Sequence, residues 1–408
     1  MTELLTVLPK RTEPWHVLPG HGSIGPNIRT TRKSGRHSLR HAMRDMGIES
    51  LARDYQKIPV VGRDECGDRA ELERVMVGTF PLNIGNPTII TREFPVGDPW
   101  HTMTLNLRGE LLGGGAPTGT VKADAPTQLW QLALTTDLDK DVIEPQVSSR
   151  ALFRYAQFIQ ETASEIVAPT IPGAAATTLF NVNIQLIFSD PRLLIPEDSI
   201  LDTRRYNTIT LTIFTGALTD IITTPVQITL QNCVCDLEVL RVSPRVPLPL
   251  NVVKVLPFYK RYAPQTPPDA TPLNLDRVPT LAMKRLLWFT SSLTDVIAGV
   301  PFTGLGTDNI IDTFRVASNR RDHFGSAQGG VSRRVLRGDN KVDYKTETFP
   351  AGWWIYDTVL DRSLMSALAT GDLSVLQSIQ TYQAGLPATP QVSVFQAGIQ
   401  KLRGTRGR

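Results

Sequence analysis

Cysteine is almost missing from this chain: Cys66, Cys233 and Cys235 are the only three in 408 residues. Three thiols cannot make a disulfide framework, and two cysteines one residue apart on a strand share a face without bridging easily. Neither a CxxC pair nor a four-ligand thiolate set exists, which excludes a thiolate-held structural zinc. Such sparse thiols predict synthesis in a reducing, intracellular compartment. Histidine is scarce too, and only His101 and His323 lie beyond the first 74 residues. A two-histidine metal site or a histidine-based triad would have to recruit a ligand from the N-terminal extension, which the preorganisation demanded by catalysis disfavours. No apolar run approaches the ~18–20 residues needed to cross a bilayer, and the N-terminus lacks the apolar core of a signal peptide, so neither export nor membrane spanning is expected.

Motifs that carry chemistry are equally short. His21 to Gly25 lacks the first glycine of a nucleophile elbow. The glycine run from Gly113 to Gly119 is followed by Thr120 where a phosphate-cradling loop needs lysine, so a flexible turn between strands is expected there. Asp137, Asp139 and Asp141 alternate as in the opening of a calcium loop, but Val142 replaces the turn glycine and Ser148 the bidentate glutamate. They are a weak cation candidate. No other metal and no cofactor is expected, and the chain reads as non-enzymatic.

Charge is informative by its location. Arg29, Arg32, Lys33, Arg36, Arg40 and Arg44 place six bases in sixteen residues with no acid, and Lys401, Arg403, Arg406 and Arg408 add four near the other end. The whole chain is only +4, so the remainder carries a net −6. Basic ends of this kind suit a polyanion or an anionic lipid surface, or else form solvated arms.

From residue 75 onward the apolar pattern has period two, the mark of strands with one buried face. Met103, Leu105 and Leu107 alternate with Thr102, Thr104 and Asn106, and Phe180, Val182, Ile184 and Leu186 do the same, as do Ile209, Leu211 and Ile213. Val226, Ile228 and Leu230 keep one phase while Cys233, Cys235, Leu237 and Val239 keep the other, which predicts a bulge near Gln231 and Asn232. One segment has helical spacing instead: Leu152, Tyr155, Ala156, Ile159, Ala163 and Ile166, with Ser148 and Ser149 available as caps. Three prolines between Ser243 and Leu250 mark a boundary, after which strand patterns resume. The predicted organisation is an N-terminal basic extension over 1–74, a first β-sandwich over 75–242 with one inserted helix, a Pro-rich linker over 243–250, a second β-sandwich over 251–402, and a basic tail over 403–408. Few contacts cross a Pro-rich linker, so a cut there is expected to separate two β-rich fragments.

Two groups stand out as candidate interfaces. Trp353 and Trp354 are adjacent on a strand, so one should enter the core while the other points outward as an exposed contact. Arg320 and Arg321, in a cluster of bases mixed with acids, read as surface or intersubunit ion pairs.

The stretch from Phe94 through Pro95, Gly97, Pro99 and Trp100 to Gly109 resembles the early strand region of the first roll in double jelly-roll major capsid proteins of tailless, internal-membrane-containing icosahedral bacteriophages. Phe349, Pro350, Gly352 and Trp353 to Asp357, followed by Leu368 to Thr370, is similar to the late part of their second roll. The resemblance covers residues 75–402. It implies a mainly β double jelly roll and homotrimeric capsomers of pseudo-hexagonal outline, built into a virion shell after synthesis in host cytoplasm. Minor capsid and vertex proteins would be partners, and the ends would face membrane or genome. Two other classes stay open: the capsid protein of a small RNA virus, whose basic arm would neutralise packaged genome, and a tandem β-sandwich carbohydrate-binding module.

Overall fold

The computed structural model describes residues 72–401 apart from 92–93, 138–141, 161–165, 194–198, 243–254, 267–271, 276–280, 293, 295, 298–299, 319–321, 325–349, 360–366, 371–372, 385 and 387–389. The first half contains β1 (Leu72–Pro81), β2 (Pro87–Ile90), β3 (Trp100–Val121), β4 (Trp130–Thr136), β5 (Ile143–Ser148), β6 (Ile166–Val167), β7 (Thr177–Ile187), β8 (Ile209–Thr215) and β9 (Ile222–Val242). Among the described residues two α-helices interrupt it, α1 (Ala125–Gln128) and α2 (Ser149–Gln160). The second half contains β10 (Val255–Gln265), β11 (Leu273–Asn274), β12 (Leu281–Ser291), β13 (Ile311–Ser318), β14 (Asp322–Phe324), β15 (Trp353–Asp357), β16 (Leu368–Ala369), β17 (Leu376–Tyr382) and β18 (Gln391–Lys401). Among the described residues no helix is long and apolar enough to cross a membrane.

These strands form three sheets. One runs β1-β9-β3-β7-β6, one β15-β12-β18-β10-β5-β4-β8-β2 with β16 beside β12, and one β11-β17-β13-β14. Inward residues of β3, β7 and β9 close on those of β4, β5 and β8 in one core. Met283, Leu286 and Trp288 of β12 and Val392 and Val394 of β18 close on Ile311, Val316 and Leu376 in another. The chain is therefore two tandem β-sandwiches, a double jelly roll.

The sandwiches share a sheet. β5 and β10 run parallel, with Ile143 beside Tyr259 and Glu144 beside Lys260, and the Tyr259 N–H donates to the Val142 carbonyl at 2.9 Å. β10 runs through Pro257 to Gln265.

The bulge falls where the phase change predicted it. Arg108 pairs with Val234 and Glu110 with Gln231, so β9 spends three residues against two of β3, with Asn232 left-handed at φ 50°. The shift buries Ile228, Leu230, Cys233, Cys235, Leu237 and Val239 together, whereas Val226 of the first set stays exposed, and burial, then Glu110, pushes the Cys233 thiol up to about 11. The glycine run differs from expectation. It lies inside β3, which bulges against β9 between Gly113 and Thr118. A Cβ on Gly113 would sit 2.2 Å from the Gly173 carbonyl oxygen, so close backbone approach is what calls for glycine there. The helix also ends earlier than its periodicity predicts: Ser148 Oγ accepts from the Arg150 N–H at its start, but Ile166 has left it to pair with Val182 on the edge of the first sheet.

The shared sheet changes what a cut in the linker should do. We expect a chain cleaved at a protease site engineered into 243–250 to co-elute as one species in native size-exclusion chromatography and to separate only in denaturant, since strand pairing and core packing span the halves.

Candidate functional site: the seam between the two halves

α2 is buried on nearly every side, including Leu152, Phe153, Tyr155, Phe158 and Ile159. Ser149, Arg150 and Arg154 on its polar side are buried as well, so protein surrounds the helix. Tyr155 meets Tyr259 edge-on at 5.6 Å and Phe395 at 5.4 Å, and Tyr259 stacks on Phe395 at 6.0 Å. Phe289 and Phe302 close on Trp353 at 4.8 and 5.9 Å. Thus β10, β12, β15 and β18 are covered on both faces, by the second half's own four-stranded sheet and by the first half.

A cluster of charges lies in this seam. Asp190, just after β7, has a fully buried side chain, and its Oδ2 accepts from Arg285 Nη1 and from Lys284 Nζ at 3.2 Å. Arg285 Nε donates to Asp357 Oδ2 at 3.0 Å and its Nη1 to the Tyr155 hydroxyl at 3.3 Å. Arg192 reaches Asp357 at 3.7 Å and lies over the Phe158 ring. Each half supplies one carboxylate, and each carboxylate is met by a cation from the other half. Burial alone would raise the Asp190 pKa, but Arg285, then Lys284, holds it well below the usual carboxylate range. Burial would likewise lower that of Arg285, and Asp190 and Asp357 hold it well above the ordinary arginine value.

Neighbouring strand residues normally face opposite ways, yet Lys284 and Arg285 reach the same carboxylate. A bulge in β12 explains this: Met283 pairs with Gly398 and Arg285 with Ala397, so Lys284 is the extra residue. A Cβ on Gly398 would come 2.7 Å from the Ala282 carbonyl oxygen, so the bulge needs a bare backbone opposite it.

A second tie is made by Arg150 at the start of α2. Its Nη1 donates to the carbonyls of Gly304 (2.8 Å) and Phe302 (3.2 Å) in the other half, its Nη2 to Asp124 Oδ2 (3.1 Å), and it lies over the Phe289 ring at 4.5 Å. Arg154 shares Asp124 at 2.7 Å. Burial brings the Arg150 pKa down to about 10, so it stays charged at neutral pH.

The residues singled out by sequence fall elsewhere. Arg29, Arg32, Lys33, Arg36, Arg40, Arg44, Arg320, Arg321, Asp139 and Asp141 lie outside the described residues. Asp137 accepts from the N–H and side-chain amide of Asn207, and among the described residues no three of His, Cys, Asp and Glu converge as a metal ion requires. The expectation of an outward tryptophan is corrected: Trp353 and Trp354 are 1% and 3% exposed. They do face opposite ways, but Trp353 enters the first core and Trp354 the second, because both faces of β15 are covered. Sequence reasoning missed Asp190, Lys284, Arg285 and Asp357. The available signal was Lys284-Arg285 inside an otherwise apolar strand, since buried charges of this kind occur almost only in pairs.

No protein-family model and no curated protein matches the chain. Among solved structures, the crystal structure of the STIV MCP matches with a TM-score of 0.59 at 16% identity, over 81% of this chain and 97% of that one. The atomic structure of Sulfolobus turreted icosahedral virus matches with a TM-score of 0.59 at 15% identity, over 81% and 91%. The major capsid protein P2 from bacteriophage PM2 gives 0.47 at 9% identity, over 82% and 99%. At such identities the likeness is one of fold.

Proposed function

We propose that this chain is a viral major capsid protein with a structural, non-catalytic role. Copies associate as trimers of pseudo-hexagonal outline, which tile an icosahedral shell and meet minor capsid and vertex proteins. The observation that carries this reading is the extent of the fold match: the correspondence with the STIV MCP runs through both sandwiches and takes in 97% of that chain. Permanent subunit interfaces bury thousands of Å2, so association should dominate apparent stability. Light scattering after size exclusion is expected to give trimers or larger species, and negative-stain images pseudo-hexagonal particles or shells. A monomer at high concentration would overturn the reading.

In the same reading, Arg29, Arg32, Lys33, Arg36, Arg40 and Arg44 meet an anionic surface, lipid headgroups or genome, on the inner side of the shell. Each basic residue beside an anionic membrane contributes about 1 kcal/mol, within a Debye length of ~8 Å at physiological salt. Changing all six to glutamine is expected to abolish salt-sensitive co-flotation with phosphatidylserine vesicles or salt-sensitive retention of nucleic acid. If neither changes, the electrostatic role is wrong.

A further inference from the structure

We propose that the five charges of the seam, Asp190, Arg192, Lys284, Arg285 and Asp357, set the register of the second sandwich on the first, with Asp190 as the central positioning residue. Resting on the capsid reading, the inference adds that this register is what gives each capsomer a single shape. Most of the rest of the seam is apolar and aromatic, and such contacts are non-directional; the polar exceptions include Arg150, which donates to the Phe302 and Gly304 carbonyls, and Tyr259, whose hydroxyl donates to the Ile187 carbonyl. Among the described residues, direct strand pairing between the halves covers two residue pairs, Tyr259 with Ile143 and Lys260 with Glu144, too short a ladder to fix the register by itself. The charges behave differently. Asp190 and Arg285 are wholly buried and Lys284 and Asp357 nearly so, so a shift of one strand residue would leave at least one of them in the core without its counterion. Buried ion pairs add little net stability relative to apolar residues of the same volume, while a misplaced partner is strongly penalised; their best-attested role is to fix register. The bulge that turns Lys284 and Arg285 to the same side is a local irregularity whose visible result is two cations on one carboxylate.

The test separates register from stability and from assembly. The triple variant Asp190→Leu, Lys284→Met, Arg285→Met removes one negative and two positive charges and leaves Arg192 paired with Asp357. Its readouts on the full chain are the unfolding midpoint and hydrogen exchange at the Tyr259 amide, which bonds across the halves to Val142. We expect a midpoint close to that of the parent, Tyr259 protection lowered at least tenfold or split into two populations, and particles of irregular outline. A triple variant with parental Tyr259 protection in one population would overturn the proposal. Should this variant not fold, Arg285→Lys keeps the charge count but cannot link Asp190 to Asp357 as a fork, and lowered against unchanged Tyr259 protection decides in the same way. Exchange at Tyr259 does not depend on shell formation, so a chain that never assembles would defeat the capsid reading while this test still stands.

Discussion

Asp190→Ala is expected to lower the stability of the chain by about 3–5 kcal/mol, the usual cost of removing one partner from a buried ion pair. Lys284, Arg285 and Arg192 would then share Asp357 alone, and the two cations of β12 would have no route to water. The shift in urea midpoint at neutral pH measures this, and a change under 1 kcal/mol would mean that solvent reaches the cluster. Acid dependence follows from the same residue. The folded state holds the Asp190 pKa below its ordinary value near 3.8, so its contribution is fully present above that value and is lost as pH falls from about 4 toward the folded pKa. Asp124, held down by Arg150 and Arg154 against its own burial, acts in the same direction. His101, lowered by burial from 6.5, starts to destabilise the folded state at higher pH, since the unfolded chain takes up its proton first. The parent chain should therefore lose stability in two stages on acidification, and Asp190→Ala should flatten part of the lower one and leave the upper one unchanged.

Much of the architecture was legible because the sequence obeys period two wherever one face of a strand meets solvent. The alternation at Met103, Leu105 and Leu107 and the phase change across Asn232 gave both a strand and its bulge, since each face had a different fate. That logic stops at β12. Its faces are both buried, so apart from Lys284 and Arg285 the stretch from Leu281 to Phe289 reads as an apolar run without alternation and carries no trace of which side meets which core. The bulge at Lys284 was hidden for the same reason: between two apolar faces the phase change is silent, and the pair Lys284-Arg285 marks buried charge without showing that both side chains turn the same way. The seam was illegible on other grounds. Asp190 and Arg285 are 95 positions apart, and nothing local distinguishes an aspartate after a strand from any other turn aspartate until β12 lies beside it. Glycine was misread at Gly113 because sequence shows its freedom to bend but not a carbonyl approaching from Gly173.

Trp353→Ala should be as damaging as any single aromatic truncation in the chain, at about 3–5 kcal/mol, the range for deleting a large ring from a packed core. The indole lies against Phe289 and Phe302 and belongs to the core that the two halves share, so the cavity its loss leaves opens in that common core and should destabilise both halves together. One cooperative transition at a lower midpoint is the expected form, since Trp353 belongs to a core built from residues of both halves. A control of opposite character is Ile89→Ser on the edge strand β2, where the side chain is 66% exposed and the change should stay within about 0.5 kcal/mol. The comparison distinguishes a core role from the interface role that its sequence suggests. An interface tryptophan would leave the midpoint of the isolated subunit unchanged and weaken only self-association, whereas a core tryptophan must lower the midpoint at concentrations where no association occurs. Thermal unfolding of Trp353→Ala at submicromolar concentration, beside the parent and Ile89→Ser, decides between them, and an unchanged midpoint would return Trp353 to the surface.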